Sequence, residues 1–274
     1  MMVASSKREL PRFDPTVPNE ARVLDFIIGG KDNFAVDREA AEKVLEVAPN
    51  LPLLMRESRK CLGRMVRFLA QAGIRQFVDI GCGLPTRGNV HEIAQAAAPG
   101  SRVVYVDNDP VVVAHAQALL VSNDDTSVVQ ADARDVEHIL THPGLTSLID
   151  LKQPVAFLLI SLLHVIHEDD VATGIVKRLR DAMSPGSHLA IAHVISDICP
   201  DVTADLWKLF RRTDTDESEP RCNARAKAEV DPYFDGLDLV EPGVVHLPAW
   251  RPDPGEPTVH PASVWVVGGV GRKN

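Results

Sequence analysis

Five short apolar runs organise the middle of the chain, at residues 76–80, 102–107, 127–130, 155–160 and 188–193. Runs of this length, rich in Val, Ile and Phe, read as strands buried on both faces. Between them, apolar positions recur at helical spacing over residues 89–98, 110–120 and 171–183. Strand alternating with helix predicts an α/β fold, a doubly wound and mostly parallel sheet with helices on both faces. Pro185-Gly186 ends the helix before the fifth run, as Pro and Gly do just past a helix end.

The flanks have a different texture. Residues 1–20 hold Pro11, Pro15 and Pro18 and read as an irregular arm. From Ala21 to about Gln71 the pattern is helical, with Val23, Phe26 and Ile27 on one face and Leu62, Met65, Val66 and Leu69 on another. Gly29-Gly30 breaks the first helix, and Pro49 and Pro52 break the next. The expected division is therefore an arm and helical cap over residues 1–72 and a main domain over 73–274. Within the main domain, residues 197–232 read as an irregular insert with a helix near 204–210. Residues 239–246 and 263–270, separated by a Pro-rich loop, are expected to form a closing antiparallel pair at one sheet edge.

A length of 274 residues accommodates one large domain, or a domain and a cap. A net charge of −9 argues against nucleic acid, whose phosphates need clustered Lys and Arg. Cys61, Cys82, Cys199 and Cys222 form no CxxC pair and read as reduced thiols. Residues 1–14 lack the apolar core of a signal peptide. The most apolar run, 155–166, falls short of the roughly 20 residues that cross a bilayer. These features predict a cytoplasmic protein with no membrane partner.

The chemistry concentrates at strand ends. In doubly wound sheets, ligands bind beyond the C-terminal ends of the strands, where the strand order reverses. The first run ends in Asp79-Ile80-Gly81-Cys82-Gly83, the second in Asp107, and the third is followed by Asp132-Ala133. Gly81 and Gly83 allow a ligand close to the backbone. Asp79 suits an ammonium, Asp107 the two hydroxyls of a ribose, and Asp132 an adenine amino group, with the Ala133 N–H beside the ring. That combination points to S-adenosylmethionine (AdoMet). The rival is NAD, but Thr86 stands where the G-x-G-x-x-G fingerprint has its third glycine. Pro85 also removes an amide donor from the turn that would face a pyrophosphate.

Longer motifs reinforce this reading: Ala21-Arg22-Val23, Gly29-Gly30-Lys31-Asp32-Asn33-Phe34, Asp37-Arg38-Glu39, Asp79 to Thr86 with Asn89 and His91, Tyr105-Val106-Asp107-Asn108-Asp109-Pro110, Ser184-Pro185-Gly186-Ser187, Glu241-Pro242-Gly243 and Trp250-Arg251-Pro252. Over residues 18–269 the chain resembles the actinobacterial S-adenosyl methyltransferase family, once a domain of unknown function. The resemblance implies a Rossmann-like class I methyltransferase fold with AdoMet as cofactor, and Pro85 as part of the family's own turn. Leu24-Asp25-Phe26 departs from the family's Tyr-Asp-Tyr, and Ser58-Arg59-Lys60-Cys61-Leu62 from its Asn-Arg-x-Phe-Leu. Both departures bear on acceptor choice.

The 29–34 segment reads two ways: a lid, with Gly30, Lys31, Asn33 and Arg59 near the methionine end of the cofactor, or a helix C-cap followed by a turn. The two are compatible. Asp37-Arg38-Glu39 reads as a helix start with solvated charges. His164, past the fourth strand, and His193, near the end of the fifth, are the candidate general bases. No metal is expected: of His167-Glu168-Asp169-Asp170, an aspartate caps a helix and the rest face water. Cys82 reads as a small filler, Asn89 as a closure of the cofactor loop. The charged run at Arg211-Arg212 and residues 214–219 reads as a solvated loop or a substrate cover. The expected activity is methyl transfer to a small-molecule acceptor. The alternatives are a non-catalytic protein that binds AdoMet or S-adenosylhomocysteine (AdoHcy), and an NAD-dependent oxidoreductase. Acceptor and oligomeric state stay open at this level.

Overall fold

A computed structural model describes residues 14–86, 88–121, 123–210, 223–257 and 259–274. Its strands are β1 (Gln76–Ile80), β2 (Arg102–Asp107), β3 (Thr126–Gln130), β4 (Ala156–Ile160), β5 (His188–Val194), β6 (Asp238–Leu239), β7 (Val245–His246) and β8 (Val266–Arg272). They form one sheet in the order β3-β2-β1-β4-β5-β8-β6, with β7 also paired to β8. Strands β1 to β5 run parallel, and β8 lies antiparallel to β5 from His188↔Arg272 to Val194↔Val266. The order reverses between β1 and β4, which puts the switch point just beyond Ile80 and Ile160. This is the doubly wound α/β architecture that the strand-helix alternation predicts, and it agrees with the Rossmann-like methyltransferase fold that the family resemblance implies.

The helices are α1 (Glu20–Ile27), α2 (Ala35–Val47), α3 (Leu51–Gln71), α4 (Val90–Ala97), α5 (Pro110–Leu119), α6 (Val136–Thr141), α7 (Pro143–Thr146), α8 (Asp169–Ala182), α9 (Pro200–Phe210) and α10 (Lys227–Val230). Successive strand residues point to opposite faces, so the sheet divides two cores. Phe77, Val103, Tyr105, Leu158 and Ala190 pack toward the α3 side, with Leu62, Met65, Val66 and Leu69 of that helix. Val78, Val104, Phe157, Leu189 and Ile191 pack toward α8, with Ala172, Ile175, Val176 and Leu179. Each Val, Leu, Ile, Phe or Met side chain among them contributes about 1.5–3 kcal/mol by leaving water. The crossover helices start where capping chemistry dictates. Asp109 accepts from Val111 and Val112 N–H ahead of Pro110, and Asn89 with Glu92 forms a capping box on α4.

Three differences from the sequence reading have physical causes. The stretch 239–246 is not one strand: β6 and β7 each pair two residues with β8, and the chain between them turns through Pro242 and Gly243 (φ +86°). Strand β8 itself lies between β5 and β6. Asp37 is not solvated. It is fully buried, accepts the Asn19 N–H at 2.9 Å and the Phe34 N–H at 2.8 Å, and lies 3.4 Å from Arg22 Nε. It is the joint between α1 and α2, and Val23, Ile27, Ala41 and Val44 of these helices belong to the same core as Phe77 and Tyr105. The insert contains α9 and α10, while the charged run at 211–219 falls outside the described residues. Among the described residues, no helix is long and apolar enough to cross a membrane.

Candidate functional site

The turn after β1 is shaped by two glycines with left-handed backbones, Gly81 (φ +73°) and Gly83 (φ +65°). Gly81 and Cys82 N–H both donate to the Val106 carbonyl, at 2.8 and 3.2 Å. A Cβ on Gly81 would come within 2.7 Å of Leu162 Cδ1, so the turn presses directly on the loop after β4. Gly83 N–H donates to Asp107 Oδ2 and Asp109 N–H to Oδ1, each at 3.0 Å. Asp107 therefore knits the ends of β1 and β2 together. Burial pushes its carboxyl up to about 6, and the backbone donors oppose that. Its carbonyl receives the Ala131 N–H at 3.0 Å, and the Asn108 carbonyl receives Gln130 Nε2 at 3.3 Å, which brings the end of β3 alongside.

Around this turn, acids outnumber bases. Asp79 is buried on β1. Burial raises it to about 7; the Arg59 guanidinium opposes the rise and Asp107 adds to it. Arg59 arrives from α3, with Nη2 3.4 Å from the Leu84 carbonyl, and burial lowers its own pKa against the pull of Asp79. Glu20, in the first turn of α1, is also raised to about 7, by burial and then by the Asp107 charge. The Cys82 thiol lies well above its ordinary value, chiefly through burial and then through Asp107 and Asp79, which keeps it protonated.

Asp25 organises the 29–34 loop. Its Oδ2 receives Asp32 N–H at 2.8 Å and Asn33 Nδ2 at 2.9 Å, and its carbonyl receives the Gly30 N–H at 2.8 Å. A Cβ on Gly30 would fall 1.9 Å from Asp25 Oδ1, so only glycine fits there. Gly29 (φ +87°) closes the helix end, the C-cap expected from the sequence. Asp32 reaches His115 of α5 at 3.4 Å, and Lys31 lies exposed. Beneath the loop, a crevice of about 70 Å³ is lined by Ala21, Leu24, Asp25, Arg59, Gly83 and Thr86, among others. Half-buried Pro85 lies in the same turn, and Asn89 Oδ1 receives the Thr86 N–H at 3.2 Å.

Asp132 follows β3, with both oxygens gripped by the Arg134 side chain at 2.7–3.1 Å. Ala133, between them, is half-buried. His164 lies in a 3₁₀ turn after β4, just past Ser161, whose φ of +58° marks a strained strand end. Its Nε2 is 3.9 Å from Glu20 Oε1, and its Nδ1 is buried with no hydrogen-bond partner. Burial, then Arg225 and His167, pull it down to about 4, so the ring is neutral at physiological pH. His193 lies edge-on behind it, centroids 5.8 Å apart; it is fully buried, and its Nδ1 contacts the Val194 carbonyl. Arg225 fastens the His164 loop through the Leu163 and Ile166 carbonyls and Asp169.

The structure thus gathers Asp79, Gly81, Cys82, Gly83, Asp107 and Arg59 around one turn, with Gly30 and Asn33 in the loop above it. Sequence reasoning missed Glu20, which fell at the end of the stretch read as an irregular arm, and Arg225, which carries no local signal. Among the described residues, no group of three or more His, Cys, Asp or Glu side chains could hold a metal ion. Three carboxylates, Asp79 buried and Glu20 and Asp107 half-buried, against one guanidinium disfavour a pyrophosphate and suit a ligand with net positive charge. AdoMet meets that condition, so the residues present fit it.

Comparison with known proteins agrees. A 41% identical structure from Thermobifida fusca, assigned as a methyltransferase, superposes with a TM-score of 0.86 over 94% of this chain and 96% of its own. A DUF574 family protein from Streptomyces avermitilis, 40% identical, gives 0.85 over 94% and 98%. The N-methyltransferase NodS of Bradyrhizobium japonicum, at 13% identity, shares the fold alone, with a TM-score of 0.50 over 82% of this chain and 98% of its own. No curated protein sequence matches. The S-adenosyl methyltransferase family model, however, aligns with residues 6–274, nearly the full length on which the turn, the acids and the cap are built. The chain belongs to that family, and AdoMet is its cofactor.

Proposed function

We propose that the protein transfers the methyl group of AdoMet to a small-molecule acceptor. The observation that carries this reading is the set of mutually coupled acids, buried Asp79 with half-buried Glu20 and Asp107, around a glycine turn with Arg59 as counter-charge. Asp79 receives the ammonium, Arg59 with Lys31 the carboxylate, and Asp107 with Asn108 the ribose. Asp132 and Ala133 face the adenine, and the turn from Gly81 through Cys82, Gly83, Pro85 and Thr86 forms the floor. Gly30 and Asn33 belong to the lid. Residues 1–72 act as arm and cap, and residues 73–274 as the cofactor-binding domain. The described cysteines Cys61, Cys82 and Cys199 are unpaired, which suits a reducing cytoplasm.

AdoMet supplies a methyl group on a sulfonium, so displacement by an acceptor lone pair forms the acceptor–carbon bond, breaks the carbon–sulfur bond and leaves neutral AdoHcy. The chain's part is alignment and exclusion of water. His164 is the candidate base for an acceptor that arrives protonated, because its ring is neutral and stands at the strand end beside the turn. His193, the second candidate base, lies edge-on behind it and is fully buried. The net charge of −9 favours a small acceptor over a nucleic acid.

A second reading, binding without catalysis, draws support from the crevice: about 70 Å³ is well below the roughly 300–1,000 Å³ of small-molecule sites. Calorimetry with AdoMet, AdoHcy and NADH, followed by transfer of labelled methyl groups to a panel of phenols, amines and carboxylates, separates the readings. Micromolar binding of the first two with transfer supports the enzyme. Binding with no transfer to any acceptor supports the second reading, and binding of NADH alone overturns both.

A further inference from the structure

A glutamate in the first turn of a helix ordinarily faces water and complements the helix dipole. Glu20 does not. Its side chain keeps only 31% of its exposure, Oε1 lies 3.9 Å from His164 Nε2, and the Asp107 carboxylate is close enough to raise its pKa. Its placement is enforced by its neighbours. Asn19 caps α1 through the Ala21 and Arg22 N–H groups, and Asp37 holds the Asn19 N–H at 2.9 Å and Arg22 Nε at 3.4 Å. The same helix walls the crevice through Ala21, Leu24, Asp25 and Ile28, opposite Gly83, Leu84 and Thr86. Glu20 thus stands at the end of this wall, between Asp107 at the end of β2 and His164 in the loop after β4. Among the described residues, its ion-pair partner within 4.0 Å is His164, a ring with no charge to offer at neutral pH. Among the described residues, no cationic side chain lies within 4.0 Å of this third, half-buried carboxylate, which points to a cation that arrives with the ligand.

We propose that Glu20 is a cofactor-binding residue delivered by the N-terminal cap, and that its carboxylate answers the positive charge of the methyl donor. AdoMet, with a net charge of +1, is then held in preference to AdoHcy, which is neutral overall. The inference rests on the AdoMet reading above and adds to it a charge-selective residue outside the Rossmann-like sheet.

The test is calorimetric titration of the full chain and of Glu20→Gln with AdoMet and AdoHcy at pH 8, where Glu20 is ionised. Wild type should bind AdoMet several-fold more tightly than AdoHcy. Glu20→Gln should lose about tenfold toward AdoMet and less than about twofold toward AdoHcy, and the retained AdoHcy affinity shows that the variant is folded. Equal losses toward both ligands, or no loss toward AdoMet, overturn the proposal. Wild type alone provides a check independent of any variant: affinity for AdoHcy equal to or greater than that for AdoMet also overturns it. If wild type binds neither ligand, the AdoMet reading itself fails, an outcome distinct from the others.

Discussion

Replacing Asp107 by asparagine separates two tasks that one carboxylate performs. In the free protein, Oδ1 and Oδ2 each accept a backbone N–H at 3.0 Å, from Asp109 and Gly83. An amide keeps one acceptor oxygen and turns an NH₂ toward the other donor. A part-buried donor left unsatisfied costs about 1–3 kcal/mol. Removal of a carboxyl that burial already pushes up to about 6 offsets part of that loss, so a stability loss of about 1–2 kcal/mol follows. Binding should suffer more, because charge-assisted hydrogen bonds to the ribose disappear. A loss of about 2 kcal/mol weakens the Kd by roughly 30-fold. The assay pairs urea unfolding with calorimetric titration by AdoHcy, which lacks the sulfonium and so isolates the ribose contact. A urea midpoint that falls while Kd stays within about threefold of wild type would refute the reasoning: Asp107 would then serve the turn and not the ligand.

Binding should also be proton-linked. Asp79 and Glu20 are both raised to about 7, so the stability they contribute is fully present below their unfolded values and is lost as pH rises through about 7. A cationic ligand favours their ionised forms, so AdoMet binding near pH 7 should release protons; binding enthalpies in phosphate and Tris that agree after correction for no proton transfer would contradict this. Asp37→Asn should cost about 3 kcal/mol or more, because it removes the counter-charge of buried Arg22. Hydrogen exchange should show that loss concentrated in α1 and α2. Arg225→Met removes a positive charge that holds His164 down and unfastens its loop, so the His164 imidazole should titrate at a higher pH by NMR. Gly30→Ala drives a Cβ into Asp25, whereas Gly29→Ala meets open space and bears only backbone strain of about 1 kcal/mol. Melting temperatures should rank the two accordingly.

The sheet was legible because strands buried on both faces announce themselves as continuous apolar runs, and the glycine turn because Gly81 and Gly83 sit directly after one. The short helices α6 and α7 carry too few residues for a period to show. β6 and β7 escaped resolution for a different reason: their two-residue ladders depend on β8 rather than on local alternation. At the site, Asp79 and Asp107 could be placed from sequence because one is the penultimate and the other the last residue of its strand. Glu20 and Arg225 could not, since they reach the turn and the His164 loop only through the docking of α1 and of the insert. Asp37 shows the same limit, because a buried acid in a first turn is written like a solvated one.

The joint at Asp37 has a kinetic consequence. With α1 walling the crevice and sharing its core with the sheet, cofactor exchange is predicted to wait on the swing of a helix. Association rates should then level off at high AdoMet concentration, at the rate at which the helix opens. Whatever the acceptor, product would leave on the same clock. A chain built this way would work slowly and hold each donor long enough for a scarce acceptor to find it.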